Sequence, residues 1–151
     1  MRKTGANYTG NQLEKFIQDR LVEKGYKLVQ REKFKPATYL KQPIFAKQYY
    51  VGKSIYETNM YCDFVLYHPE KHPDCLIVES KWQQTGGSVD EKYPYAILNI
   101  QHRYPHKTIM LLDGGGYKKQ AEEWIRKQVG NNLLHVFTMV QFQTWANKGN
   151  L

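Results

Sequence analysis

The sequence predicts a mixed α/β fold, a central mixed β-sheet flanked by helices, and three observations carry that prediction. Two apolar runs, "MYCDFVLYH" and "CLIVESKW", are joined by the short polar "PEKHPD", a connection that makes an antiparallel pair. A stretch with helical spacing of apolar residues precedes them. After them strand and helix alternate, as in a sheet covered by helices. With 151 residues and 41% hydrophobic composition, the chain is read as one domain, 1–151.

Taken in order, "TGNQLEKFIQDRLVEKGY" is the first helix, with Leu13, Phe16, Ile17 and Leu21 on one face and Gly25 as its stop. "YKLVQREKF" reads as a strand. "QPIFAKQYYVGKSIY" reads as a β-hairpin or a long loop with strand character, Gly52 marking a turn or bulge. The two central strands follow. Residues 88–104 predict a helix with Pro94 in an early turn. Two sets compete for its inner face, Tyr95, Leu98 and His102 against Ala96, Ile97 and Ile100. "KTIMLLDG" has the unbroken apolar pattern of a strand in the middle of a sheet. "YKKQAEEWIRKQVG" is an amphipathic helix with Ala121, Trp124, Ile125 and Val129 inward, "LLHVFTM" a strand and "VQFQTWAN" a short last helix.

Charge narrows the partners. Lys and Arg number 22 against 14 Asp and Glu, a net +8 that suits a polyanion, nucleic acid before anionic membrane. Cys62 and Cys75 are too few for a disulfide framework and read as reduced, buried thiols. No apolar run approaches the ~18 residues of a membrane span, and the N-terminus lacks an apolar signal core. A soluble cytoplasmic protein with no membrane partner is expected.

The central strands carry the chemistry. Alternation puts Glu79 and Lys81 on the face of Ile77, and Leu76, Val78 and Ser80 on the other. If the strands pair around the connection, position 71 is the midpoint between Asp63 and Glu79, which sets the two acids opposite each other. Their Cβ atoms would then lie ~5 Å apart. Such close carboxylates repel unless something positive lies between them. A hard divalent cation is the simplest occupant, and Mg²⁺ accepts one or two carboxylates plus phosphate oxygens. The competing reading is a solvated edge-strand ion pair of Glu79 with Lys81, which the apolar "CLIV" disfavours.

Asp63 on one strand, then Glu79-Ser80-Lys81 on the next, after a helix carrying Glu14, resembles the PD-(D/E)XK nuclease superfamily. The resemblance runs from about Gln12 to Phe137, in an order like that family's αβββαβ core. It implies that Asp63 and Glu79 ligate metal, with the backbone carbonyl of Ser80 as a further ligand, and that Lys81 serves the attacking water. Glu14 matches an additional acid that some members use to hold a metal-bound water, or else it is a solvated helix residue. Gln83 matches a glutamine often found beyond the lysine. Cys62 stands where the family name has proline, a position that varies widely.

The resemblance implies a restriction-like endonuclease acting on double-stranded DNA with Mg²⁺, or Mn²⁺ in its place. It would leave 5′-phosphate and 3′-hydroxyl ends. The alternatives are a structure-specific nuclease such as a Holliday-junction resolvase, and a non-catalytic nucleic-acid-binding module of the same fold. One site cuts one strand, so a C2 homodimer is expected for both.

The basic, aromatic "REKFKPATYLKQPIFAKQYYVGK" suits a DNA-contacting arm through Lys33, Lys35, Lys41, Lys47 and Lys53, or is plain solvated surface. "LLDGGGYKK" lacks the order of a nucleotide loop; its backbone N–H groups with Lys118 and Lys119 would touch a DNA phosphate. "WQQTGGSVDEKYPY" suggests a mobile loop, and Ser88 with Glu91 a capping box. His68, His72, His102 and His106 do not make a clean helical zinc site.

Overall fold

A computed structural model describes residues 6–83 and 92–151. Helix α1 (Ala6–Glu23) opens the chain. Its apolar stripe Leu13, Ile17 and Leu21 is buried. It closes as the sequence predicts: Gly25 takes φ 93°, Gly25 N donates to Val22 O and Tyr26 N to Leu21 O, both at 3.0 Å. That left-handed cap is a conformation glycine adopts without a Cβ penalty.

The expected strand over "YKLVQREKF" is a correction. Only Lys27–Leu28 (β1) pairs, parallel to the next strand. A 3₁₀ turn (Arg31–Lys33) and a single helical turn α2 (Phe34–Ala37) replace the rest. Pro36 has no N–H for a ladder, and local turns bury Phe34 instead.

The ambiguous segment after it is one long strand, β2 (Ile44–Lys53), whose register slips between Tyr50 and Gly52, the bulge that the glycine suggested. A turn over residues 54–58 leads antiparallel into β3 (Asn59–His68), and β3 into β4 (His72–Trp82). That second connection is shorter than "PEKHPD" suggested, because His72, Pro73 and Asp74 already belong to β4.

Helix α3 (Lys92–His102) follows the undescribed residues 84–91, where the expected mobile loop and the Ser88–Glu91 cap lie. Of its two candidate inner faces the structure selects the second: Ile97 and Ile100 are buried, with Tyr93 and Asn99, while Leu98 is exposed. Then come β5 (Thr108–Asp113), α4 (Lys119–Arg126), β6 (Leu133–Phe137) and α5 (Met139–Trp145), which carries a capping box at Thr138 and Gln141. Trp124 and Val129, expected inward, are exposed: α4 turns Ile125 into the core with Ala121 packed against the same cluster, and Val129 lies past the helix end at Arg126.

The sheet runs in the order β1-β2-β3-β4-β5-β6, with β4 antiparallel to β3 and parallel to β5. Helices cover both faces. Leu13, Ile17 and Phe142 pack on Phe64, Leu66, Leu76, Val78, Ile109 and Leu111. Tyr93, Ile97, Ile100 and Ile125 pack on Met110, Leu112 and Leu133. β4 is therefore an interior strand, which removes the edge-strand reading of Glu79 and Lys81. Cys62 is buried and Cys75 half-buried, both as free thiols. Among the described residues no helix is long and apolar enough to cross a membrane.

Candidate active site

The β3–β4 ladder pairs Leu66 with Leu76, Val65 with Ile77 and Phe64 with Val78, the register placed around position 71. One step further stand Asp63 and Glu79, and there side chains take over from backbone. Asp63 N donates to Glu79 Oε2 at 3.0 Å, and Ser80 N donates to Asp63 Oδ2 at 2.8 Å. Ser80 Oγ adds a bond to the same Asp63 oxygen at 3.2 Å. The two carboxylates thus fill the fork between the strands, each holding the other strand's amide.

The electrostatics follow from this placement. Glu79 is 5% exposed. Burial first, then the neighbouring Asp63 charge, pushes its pKa from 4.5 up to about 8. Lys81 Nζ, 3.9 Å from Glu79 Oε1, opposes that rise. So does the hydroxyl of Tyr104, which hydrogen-bonds the Glu79 carboxylate. The same burial and the facing Glu79 raise the pKa of Tyr104 itself. The Cys62 thiol is pushed up as well, by burial first and then by Glu79.

Glu14 stands half-buried on α1 toward this fork. Its pKa is raised by burial and then by Asp63, and lowered by Lys47. Lys47 itself donates to Gln18 Oε1 at 3.0 Å, so it ties β2 to α1 beside the acids. Gln83 is buried at the end of β4, accepting from the Tyr93 hydroxyl at 2.7 Å and donating to Gly116 O at 3.2 Å. The structure therefore gathers Asp63, Glu79, Ser80 and Lys81, sets Glu14 within electrostatic range, and engages Gln83 with the loop after β5. Lys33, Lys35, Lys41, Lys118 and Lys119 are solvent-facing. Of the backbone N–H groups expected to meet phosphate, Gly114 donates to Asp113 Oδ1 at 2.8 Å and Gly116 to Gln83 O at 2.6 Å.

Sequence reasoning missed Tyr104 and Gln48. Tyr104 lies just past α3 in "HRYPH", a context with no chemical signature. Gln48 Nε2 approaches Asp63 Oδ1 at 3.5 Å from a backbone with φ 52°, which no local rule assigns to glutamine inside a strand.

Among the described residues no three His, Cys, Asp or Glu side chains make a metal cage. The side-chain oxygen donors at the fork are the two carboxylates of Asp63 and Glu79. Hard oxygens in that small number fit Mg²⁺, which keeps several waters and needs no all-protein cage. The Asp63 repulsion that adds to burial in raising the Glu79 pKa is also what a divalent cation relieves.

A mixed sheet whose inner strands part around two acids and a lysine is the arrangement that the resemblance to a nuclease superfamily implied. A family model for the PD-(D/E)XK nuclease superfamily domain matches residues 5–150, and the chain belongs to that family. Divalent metals are typical of its members. No curated protein and no solved structure matches the chain.

Proposed function

We propose that the protein is a Mg²⁺-dependent DNA endonuclease of restriction-like type. It hydrolyses phosphodiester bonds to leave 5′-phosphate and 3′-hydroxyl ends. The observation that carries this reading is the fork itself: Asp63 and Glu79 bonded across two interior strands, with Lys81 beside them.

Asp63, Glu79 and the Ser80 carbonyl would hold the cation, with Glu14 acting through water. That ion would supply Lewis-acid stabilisation of charge on the scissile phosphate. Lys81, as an ammonium on the partly open side of the fork, donates to the attacking water or to a non-bridging oxygen. The new bond joins the water oxygen to phosphorus as that water gives up a proton to solvent, the bond to the 3′ oxygen breaks, and the 3′ oxygen takes up a proton from solvent. Tyr104 fixes the Glu79 carboxylate, and Ser80 fixes that of Asp63.

Net charge of +8 supports duplex DNA as the partner, with Lys33, Lys35, Lys41, Lys47, Lys118 and Lys119 as phosphate contacts. A homodimer is the economical way to cut both strands, and light scattering should return about twice the mass of 17.8 kDa. The deciding experiment is incubation of plasmid, linear and branched DNA with Mg²⁺, Mn²⁺ or EDTA. Discrete plasmid products with either metal and none in EDTA are expected. Undiminished cleavage in excess EDTA overturns the metal-dependent reading. Cutting of branched DNA alone would favour a junction resolvase.

A further inference from the structure

β2 crosses the fork with a kink. Gln48 holds φ 52° inside the strand, a conformation that costs a non-glycine residue energy and that structures retain mostly where function needs it. The kink switches the strand's faces. Ile44 and Ala46 before it and Val51 after it belong to one buried cluster, with Tyr49 packed against it. Unbroken alternation would have put Tyr50 inside with Ala46. β3 makes the matching switch, since Cys62 joins Val65 and Tyr67 in that cluster. Tyr61, two residues before Asp63, is turned outward.

The result is an exposed aromatic platform next to the acids. Tyr61 is 49% exposed and Tyr50 46%. Their rings meet edge to face at 5.5 Å. The Arg31 guanidinium sits 5.7 Å from the Tyr61 centroid. Arg31 Nη1 donates to Gln48 O at 2.9 Å, and its Nε to Glu32 Oε2 at 3.1 Å. Gln48 thus touches Arg31 through its carbonyl and Asp63 through its side chain. Arg31, Glu32, Tyr49, Tyr50 and Tyr61 line an open hollow of about 220 Å³. Beyond it, Tyr50 Oη and Lys53 Nζ share Asn59 Oδ1, at 3.4 and 2.7 Å.

We propose that Tyr61, Tyr50 and Arg31 form a stacking subsite for an unpaired nucleobase beside the scissile phosphate, so that the preferred DNA carries a single-stranded segment next to the cut. The inference rests on the nuclease reading above and narrows its substrate from plain duplex to duplex DNA with an unpaired segment next to the cut. A base inside a duplex has both faces covered by its neighbours, whereas an unpaired base offers a free face to a tyrosine ring. The guanidinium adds cation–π attraction and positive charge where the strand's backbone must pass. Two residues of strand separate Tyr61 from Asp63 by ~7 Å, within reach of an adjoining nucleotide.

The test is binding by the full chain in EDTA, where strands stay uncut. The probes are a blunt duplex and the same duplex with a short unpaired tail carrying 2-aminopurine at the junction. Wild type should bind the tailed DNA ~10-fold tighter and quench the 2-aminopurine, as base–aromatic stacking predicts. Tyr61→Ala should lose at least ~5-fold on tailed DNA while blunt-duplex affinity stays within ~2-fold, and Tyr61→Phe should retain the preference. Equal wild-type affinity for the two DNAs, or a full tail preference in a folded Tyr61→Ala, overturns the subsite but leaves the nuclease reading standing. Failure to bind either DNA at low salt overturns both.

Discussion

At the scale of residues, Glu79 answers to opposing demands. Burial and Asp63 push it toward the neutral acid, while Lys81 and two hydrogen bonds hold the carboxylate in place. Its folded pKa of about 8 lies above the ordinary 4.5, so the metal-free fold keeps a proton that the unfolded chain releases. That stabilising contribution is complete below about 4.5 and is lost as pH rises to about 8. Glu79→Gln removes the titrating group and keeps an oxygen for Asp63 N. In chelator, the variant should gain at least ~1 kcal/mol on wild type at pH 8.5 relative to pH 4.5, since one pKa unit is worth about 1.4 kcal/mol. Thermal melts at the two pH values check this; an equal difference at both would sink it. Lys81 stands on the partly open side of the fork, so its role is tested without disturbing the core. Lys81→Ala should lower cleavage by at least ~10²-fold while leaving the circular dichroism spectrum unchanged. Full activity in that variant would remove the lysine from the chemistry.

At the scale of elements, the end of β4 is held by the glycine turn after β5. Gln83 N donates to Asp113 O at 3.0 Å and Gln83 O accepts from Gly116 N at 2.6 Å. Gly114 sits between them with φ 102°, and a Cβ there would overlap the Gln83 carbonyl. The turn is therefore a clamp on the strand that carries Glu79 and Lys81. Gly114→Ala combines a left-handed backbone with a backbone clash, and should cost at least ~2 kcal/mol. Denaturant titration reads the loss, and cleavage should fall with it as Lys81 shifts. An unchanged midpoint would show that the turn yields freely. Gly115, whose Cβ meets nothing within 4 Å, is the control for φ strain alone.

At the scale of the whole molecule, the charge of +8 is set against a site that is itself acidic. Apart from Lys81, the basic side chains must therefore approach phosphates around the fork rather than in it. Affinity for duplex DNA should fall on a log–log salt plot with a slope of ~0.9 per neutralised phosphate. Removing one proposed phosphate contact, Lys41→Ala for example, should shallow that slope by ~1. A salt-independent affinity, measured by fluorescence anisotropy, would mean that charge does not drive association.

How much of this was legible depends on how local each signal is. The stripe Leu13–Ile17–Leu21, the Gly25 stop, the apolar strands and the Asp63–Glu79 register were written in the sequence, because helical period, strand alternation and a short connection are local constraints. From those came the fold class and the acids with Lys81. The short extent of β1 was not legible, since backbone hydrogen bonding around Phe34 was decided by competition with 3₁₀ turns. Neither was the exposure of Trp124, which depends on which face α4 turns to its neighbours. The left-handed Gln48 and the placement of Tyr104 over Glu79 arise only when separate strands and a helix end are brought together. Sequence alone determined which groups carry charge and which strands bear them. Tertiary packing decided that the acids would be buried, bonded across the fork and flanked by outward tyrosines, because burial and contact between distant segments exist only once the sheet has closed.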